Sequence, residues 1–222
     1  AEWDKHMSKA DKQELYRDIS KCMRDLKKRG DAFQFLKKCH ALFQDDSPDS
    51  AALSSPDVTE MTVQLLKDAI QLPSVIQFDE ILGFSSVKAL NGTKHADLVK
   101  LCDVFLSGTV SDFRDFHSSH KKLFEEHDLS YQDALAKIRL LALATMAHGR
   151  PVMNLSEVAE VLEEEEENVE PWVVRAISEG VIDGRIDQLN HKVLVKSSFQ
   201  RKFGKEEWAF LDSKLTQWID NL

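Results

Sequence analysis

The hydrophobic positions of the chain fall mostly into helical stripes. Over residues 8–29, apolar residues recur at intervals of four, three and four, which places them on one helix face: Leu15, Ile19, Cys22 and Leu26. Ser8 and Asp11 have the spacing of a capping box, and Gly30 is expected to end this helix. A second stripe predicts a helix over about residues 31–44. The chain is therefore expected to begin with a helical hairpin.

The same pattern recurs after a polar loop predicted over residues 45–56. Further helices are predicted in this order: one capped by Asp57 and Glu60 and ended by Pro73, short ones through Leu82 and Leu90, and two over about 94–107 and 110–126. Helices with one apolar stripe each bury it by stacking on their neighbours. Although no clear sequence repeat is visible, we predict a helical-repeat solenoid of the HEAT or TPR kind over residues 8–130.

The helix predicted from Tyr131 to His148 differs because its apolar residues cover several faces, so it must be buried on several sides. Shorter elements follow it: an extended segment at Pro151–Met153, a helix capped by Asn154 and Glu157, a helix with Pro171 in its first turn and Gly180 at its end, and alternating strands over 181–187 and 192–199. Helix, strand, helix, helix and hairpin is the order of a winged helix. We predict one over residues 131–203.

The last predicted helix, over residues 204–222, carries apolar residues at spacings of three and four: Trp208, Leu211, Leu215, Trp218 and Leu222, with Ile219 beside them. This is the a/d seam of a coiled coil, which needs a partner helix. The alternative is that the helix packs back on the chain's own core. The predicted fold is thus mostly α: a solenoid, a winged helix and a C-terminal heptad helix. Residues 1–7 fit no pattern and are interpreted as a remnant of cloning.

The composition supports a helical globular protein. Among 222 residues, 42% are hydrophobic, and eight glycines with five prolines are too few for a turn-rich β fold. The 38 acidic and 29 basic residues leave a net charge of −9. No apolar run approaches the roughly 18 residues of a membrane span, and no secretory signal is visible. Three widely spaced cysteines are typical of reduced thiols, so we expect a cytoplasmic protein.

Motifs for catalysis or for a bound cofactor are missing from the sequence. The glycines are too dispersed for a dinucleotide fingerprint or a phosphate-binding loop, and no cysteine pair has zinc-finger spacing. His117, His120 and His127 are interpreted as surface histidines in preference to metal ligands. Cys39 and His40 point about 100° apart on a helix, which favours a buried cysteine and an exposed histidine. We expect neither enzymatic activity nor a metal or cofactor.

The charge distribution argues against duplex DNA as a partner. Residues 155–187 hold eleven acids against Arg175 and Arg185, so this part of the winged helix should be repelled by phosphates. The acidic run 163–167 is interpreted as a solvated segment in preference to a docking site for a basic partner. By contrast, residues 188–205 contain no acid and five bases: Lys192, Lys196, Arg201, Lys202 and Lys205. Ordinary surface cations are the favoured interpretation, and contact with RNA or with an acidic protein face is the alternative.

The order of these elements resembles the PCI family, whose members occur in the proteasome lid, the deneddylating signalosome and initiation factor three. Short stretches in a shared order are similar to the subunit M family of eukaryotic translation initiation factor three: Phe78–Asp79, Val87–Leu90, Ala136–Leu141, Gly184–Gln188, His191–Val195 and Phe203–Trp208. The resemblance covers about residues 16–222. The chain departs from that family in lacking several further N-terminal helices and a C-terminal tail.

The resemblance implies a non-catalytic scaffold subunit of initiation factor three that supports assembly of the factor and its binding to the small ribosomal subunit. It implies that Val193, Leu194 and Val195 meet neighbouring PCI subunits. It also implies that the last helix joins a bundle through the residues Trp208, Leu211, Leu215, Trp218, Ile219 and Leu222. The alternatives are a PCI scaffold subunit of the signalosome or proteasome lid, and a winged helix that binds nucleic acid directly.

Overall fold

The computed structural model describes residues 7–43, 53, 55–202 and 204–220, and this part of the chain is mostly helical with one small sheet. The helices are α1 Lys9–Asp25, α2 Arg29–Ala41, α3 Pro56–Gln71, α4 Asp79–Gly83, α5 Ser85–Ala89, α6 Ala96–Ser107, α7 Val110–Ser119, α8 Lys121–Glu126, α9 Tyr131–Ala147, α10 Leu155–Leu162, α11 Val169–Ser178 and α12 Lys205–Asp220. The strands are β1 Val152–Asn154, β2 Ile182–Asp187 and β3 Lys192–Ser198. Within the described ranges, no helix is both long and apolar enough to cross a membrane.

The capping box predicted for α1 is present. The Ser8 hydroxyl accepts a hydrogen bond from the Asp11 backbone N–H at 3.1 Å, and the Asp11 carboxylate accepts one from the Ser8 N–H at 3.3 Å. The face that packs on α2, however, is not the predicted apolar stripe. Ser20 is buried and its hydroxyl donates to the Ala32 carbonyl at 2.9 Å, whereas Leu26 is largely exposed. A satisfied polar contact therefore forms part of the first helix pair.

The predicted end of α1 is wrong, because Gly30 lies inside α2 instead of stopping α1. Lys27 takes the left-handed conformation with φ of 60°. The Lys28 N–H then reaches back to the Met23 carbonyl at 2.9 Å, the closing bond of a Schellman turn. A lysine thus occupies the conformation that glycine usually supplies at a helix end.

The predicted cap of α3 is also displaced. The Ser55 hydroxyl accepts a backbone N–H at 3.4 Å, and Pro56 begins the helix, so Asp57 lies inside the first turn. Proline favours the first helical position because its fixed φ suits a helix and it has no N–H to leave unpaired. Further along α3, Asp68 is buried and receives two hydrogen bonds from Arg24, at 2.6 and 3.2 Å. This ion pair fastens α3 to α1.

The helix predicted over residues 110–126 is broken into α7 and α8 at His120. The Ser118 and Ser119 hydroxyls donate to the Asp115 carbonyl at 2.8 and 3.0 Å. Such side chain to backbone bonds compete with helical hydrogen bonding and explain why the apolar stripe continues while the helix does not.

The long helix α9 is shared by two hydrophobic cores, which confirms its predicted burial on several sides. The first core contains Phe78, Phe105 and Phe113, and α9 contributes Ala134, Leu135, Ile138, Leu141 and Ala142 to it. The second core contains Met153, Val173 and Val193, and α9 contributes Leu140, Leu143, Ala144 and Ala147. The α9 helix therefore joins the helices that precede it to the sheet and helices that follow.

Buried cations on α9 complete the ends of helices on both sides. The Lys137 amino group donates to the carbonyls of Ala69 and Leu72, at 2.5 and 2.6 Å, where α3 ends. Two residues on, the Arg139 side chain donates to the Leu162 carbonyl at 3.1 Å, where α10 ends. The last carbonyls of a helix lack partners and carry partial negative charge, so the N–H groups of a long basic side chain satisfy them. Sequence analysis did not single out either residue.

Burial lowers the pKa of the Lys137 amino group from its usual 10.5 to about 7. The unfolded chain therefore binds more protons than the folded chain between these values, and stability should rise with pH across that window. We expect urea unfolding to show this rise between pH 7 and pH 8, below the range in which unfolded cysteines lose their protons, by up to about 1.4 kcal/mol per pH unit, and Lys137→Met to remove it. Lys122→Met, at an exposed position, should retain it. An unchanged slope in Lys137→Met would contradict the assignment.

Candidate protein-interaction surfaces

The terminal helix α12 presents large apolar side chains to solvent. Trp208 is 62% exposed, Leu215 45%, Trp218 67% and Ile219 70%. Leu211 lies within α12, and Leu222 lies outside the described residues. Water is unfavourable for such groups, and clustered exposed apolar residues typically mark a contact with another protein. The described part of the predicted seam is thus an exposed apolar surface.

The predicted wing residues occupy different environments on β3. Val193 is fully buried in the second core, while Leu194 and Val195 are half-buried. The sheet has the order β1-β3-β2 with antiparallel pairs, so β3 is the central strand and is hydrogen-bonded on both sides. The edges of the described sheet at which a further strand could pair are therefore formed by β1 and β2, and not by β3.

Sequence analysis predicted the β2–β3 hairpin but did not single out Leu189 at its tip. Leu189 is 94% exposed there, within a turn held by the Asp187 carboxylate, which accepts hydrogen bonds from the Asn190 backbone and side chain at 3.2 and 2.8 Å. These bonds lower the pKa of the Asp187 carboxyl. The sequence shows Leu189 as the one apolar residue of an otherwise polar turn. Because this turn lies outside the alternating pattern of the two strands, that pattern gives no reason to notice it. Leu189 adds an apolar point to the surface of the sheet.

The strongly acidic segment is partly neutralised by cations from other elements. Glu163 lies 3.0 Å from Arg114, and Glu164 lies 2.5 Å from Arg139. The Asp183 carboxylate lies 3.2 Å from the Lys196 amino group. The acidic run is therefore tied in part to the fold, and it leaves no cationic face suited to phosphates on this side.

The predicted basic surface over residues 188–205 is smaller than its sequence suggests. Lys192, Lys196 and Lys202 are exposed, but Arg201 is buried and hydrogen-bonded, so its assignment to a surface patch was wrong. Lys205 begins α12. A guanidinium held by backbone carbonyls cannot contact RNA without opening the fold, which weakens the alternative of a nucleic-acid interface.

The candidate metal and thiol residues pack as parts of the structure. His117 lies against Phe124 and Tyr131, with ring centroids 4.7 and 4.3 Å away. Burial raises the pKa of the Cys39 thiol to about 11. The expected exposure of His40 was wrong: it is fully buried, its Nδ1 lies 2.8 Å from the Ser86 hydroxyl, and burial lowers its pKa to about 4. Among the described residues, no group of three or more His, Cys, Asp or Glu is arranged to hold a metal ion.

Residues 113–197 match the PCI domain family, so the match begins within α7 and ends within β3. Beyond this matched region, the chain as a whole resembles proteins named eukaryotic translation initiation factor 3 subunit M. It is 28% identical to the one from Phaeosphaeria nodorum, over 96% of this chain and 47% of that protein. It is 30% identical to the one from Dictyostelium discoideum, over 97% and 52%.

A third relative of the same name, from Nematostella vectensis, is 26% identical over 95% of this chain and 53% of its own length. The chain therefore spans about half of the length of the curated relatives it matches. The similarity extends across nearly all of the described helices and strands, well beyond the stretch that matches the PCI domain family.

The outer strand β2 depends on Gly184. The pairing of β2 with β3 shifts register between Asp183 and Gly184, and a Cβ added at Gly184 would lie 2.5 Å from the Leu194 carbonyl oxygen. We expect Gly184→Ala to lower the free energy of unfolding by about 1–3 kcal/mol, because the strand must shift to relieve this contact. Gly83→Ala, where no atom lies within 4 Å of the added Cβ, is the matched control and should cost far less. Chemical denaturation of both variants tests this, and equal losses would contradict it.

Proposed function

We propose that this chain is a non-catalytic scaffold subunit of a complex of the eukaryotic translation initiation factor 3 type, acting in the cytoplasm. In this proposal it supports assembly of the complex and its binding to the small ribosomal subunit. The observation that carries the proposal is the similarity to three proteins named subunit M over 95% to 97% of the chain. The PCI match over residues 113–197 supports it independently.

The proposed architecture is a helical-repeat unit followed by a winged helix. The antiparallel pair α1–α2 and the helices stacked after it support the first part. The order helix, strand, helix, helix and hairpin in α9–β3, with β3 between β1 and β2, supports the second. In this interpretation α9 is both the last helix of the array and the first helix of the winged helix, because its side chains enter both cores.

We further propose that the sheet contacts neighbouring subunits. An outer strand has unpaired backbone donors and acceptors on one side, which a strand from a second protein can complete. The half-buried Leu194 and Val195, together with Leu189 at the tip, supply apolar area beside those strands. The buried Val193 side chain supports this surface from beneath.

The proposed role of α12 is to enter a bundle with helices of other subunits. Its exposed Trp208, Leu215 and Trp218 recur at seven and three residues, the spacing of a seam that packs knobs into the holes of a partner helix. Tryptophan is also enriched among residues that dominate binding energy at interfaces. Leu211 and Leu222 belong to this seam by their sequence spacing and complete the proposed set.

Affinity purification of the tagged chain from cells tests the proposed function. Subunits of initiation factor 3 and small ribosomal subunits should be recovered with it. Recovery of proteasome-lid or signalosome subunits alone would favour the alternative PCI scaffold and contradict the proposal. Steep salt-dependent binding of RNA by the purified chain alone would instead indicate a direct nucleic-acid function.

Substitutions on α12 test its role in assembly. Leu215→Asp together with Trp218→Asp should abolish recovery of partner subunits, because charges in an apolar seam remain unpaired when buried. The circular dichroism of the purified variant should stay near that of the parent protein, since both side chains are exposed. Thr216→Asp, on the same helix but outside the seam, is the control and should leave recovery intact. Global unfolding of the double variant would show that α12 belongs to the core.

A further inference from the structure

Arg201 is a buried cation on the segment that joins β3 to α12. It is 7% exposed. Its guanidinium donates to the carbonyls of Val104, Phe105 and Gly108 at 3.2, 2.7 and 3.1 Å, and to the Thr145 hydroxyl at 3.3 Å. One side chain therefore connects this segment with the end of α6 and with α9.

The acceptors explain why a charged group is retained in this buried place. The carbonyls of the last helical turn form the negative end of α6, and that of Phe105 receives no backbone N–H from the following residues. Burial lowers the pKa of Arg201 only to about 10, so the guanidinium remains charged near neutral pH. A guanidinium has five donors in one plane, and four hydrogen bonds to the end of α6 and to α9 use that geometry more fully than an ammonium would.

The end of α6 is shaped to receive this guanidinium. Gly108 follows the helix, and its N–H donates to the Val104 carbonyl at 2.8 Å. A Cβ at Gly108 would lie 2.8 Å from that carbonyl oxygen and 2.9 Å from a methyl carbon of the same valine. Glycine at position 108 therefore permits the tight turn that directs its own carbonyl toward Arg201.

Arg201 lies in the short segment between the last strand and α12, so its contacts affect where α12 begins. The segment leaves the sheet at Phe199, whose N–H donates to the Val181 carbonyl at 2.8 Å, and α12 begins at Lys205. We propose that Arg201 is a positioning residue for α12. Its hydrogen bonds fasten the chain to α6 and α9 three residues before Gly204. They thereby fix the point from which the terminal helix leaves the rest of the structure. Its functional value rests on the proposed role of α12 in partner binding.

If the start of α12 is fixed in place, the helix loses less conformational entropy when it binds a partner. A helix on a loose tether loses conformational freedom when it enters a bundle, and that loss subtracts from the binding free energy. Lys202, the next residue, is exposed and lies on the same segment. It offers a matched comparison, because it has the same charge in the same stretch of chain without the buried contacts.

Distance measurements between spin labels test the proposal in the isolated full chain. Labels at Lys100→Cys on α6 and Thr216→Cys on α12 occupy exposed positions, and the exposed Cys22 is replaced by serine. The parent protein should give one narrow distance distribution. Arg201→Met should broaden it at least twofold, and Lys202→Met should leave it unchanged. A second label pair, Lys100→Cys and Ser119→Cys, should stay narrow in every variant and report an intact helical array.

A broad distribution in the parent, a narrow one in folded Arg201→Met, or equal broadening by Lys202→Met would overturn the proposal. Arg201→Lys keeps the charge and three donors, so it should fold and broaden the distribution to an intermediate extent, and it decides the matter if Arg201→Met fails to fold. These distances are measured without a partner. Failure to recover initiation-factor subunits from cells would therefore count against the proposed function and leave this assignment standing.

Discussion

The constraint on which the structure depends is that carbonyl groups at helix ends must find donors where those ends are buried. In this chain α3, α6 and α10 end against other elements, away from bulk water, and long cationic side chains provide the donors. Lys137 extends from α9 to the end of α3 in the first core, and Arg139 extends to the end of α10 in the second core. Arg201 follows the last strand of the sheet and donates to the end of α6. Breaking any one of them leaves buried polar groups unpaired, which costs more than the net value of the hydrogen bond. The two cores are thereby held against one helix.

This arrangement explains how the chain holds the proposed contact surfaces in fixed relation to one another. The outer strands, the exposed Leu189 and the start of α12 all follow α9 in the chain and depend on its packing. A surface carried by a rigid frame binds with less loss of conformational freedom than one carried by a flexible segment. The acidic residues around α10 and α11 give the same region a charge that opposes phosphate binding, and the ion pairs of Glu163 with Arg114 and of Glu164 with Arg139 join this region to the frame.

Periodicity in the sequence predicted the order and type of nearly all the described elements, because apolar stripes report which face of a helix or strand is buried. It failed where the outcome depends on a partner distant in sequence. Lys137 and Arg201 look like surface residues until the carbonyls of α3 and α6 are placed beside them. His40 was expected to be exposed, but Ser86 from a later helix gives it a buried partner. Local turn geometry was similarly hidden, since Lys27 took the left-handed role expected of Gly30.

The size of the apolar seam on α12 indicates how many contacts a stable assembly needs. Fully burying a large apolar side chain is worth about 1.5–3 kcal/mol. Trp208, Leu215, Trp218 and Ile219 are 45% to 70% exposed, so covering them adds about 4–7 kcal/mol in total. Association costs about 4–15 kcal/mol in lost freedom, which equals or exceeds what these four residues supply. The side chains of α12 alone therefore leave the proposed association marginal, and its stability depends on apolar area buried on the partner or on a second contact through the outer strands of the sheet.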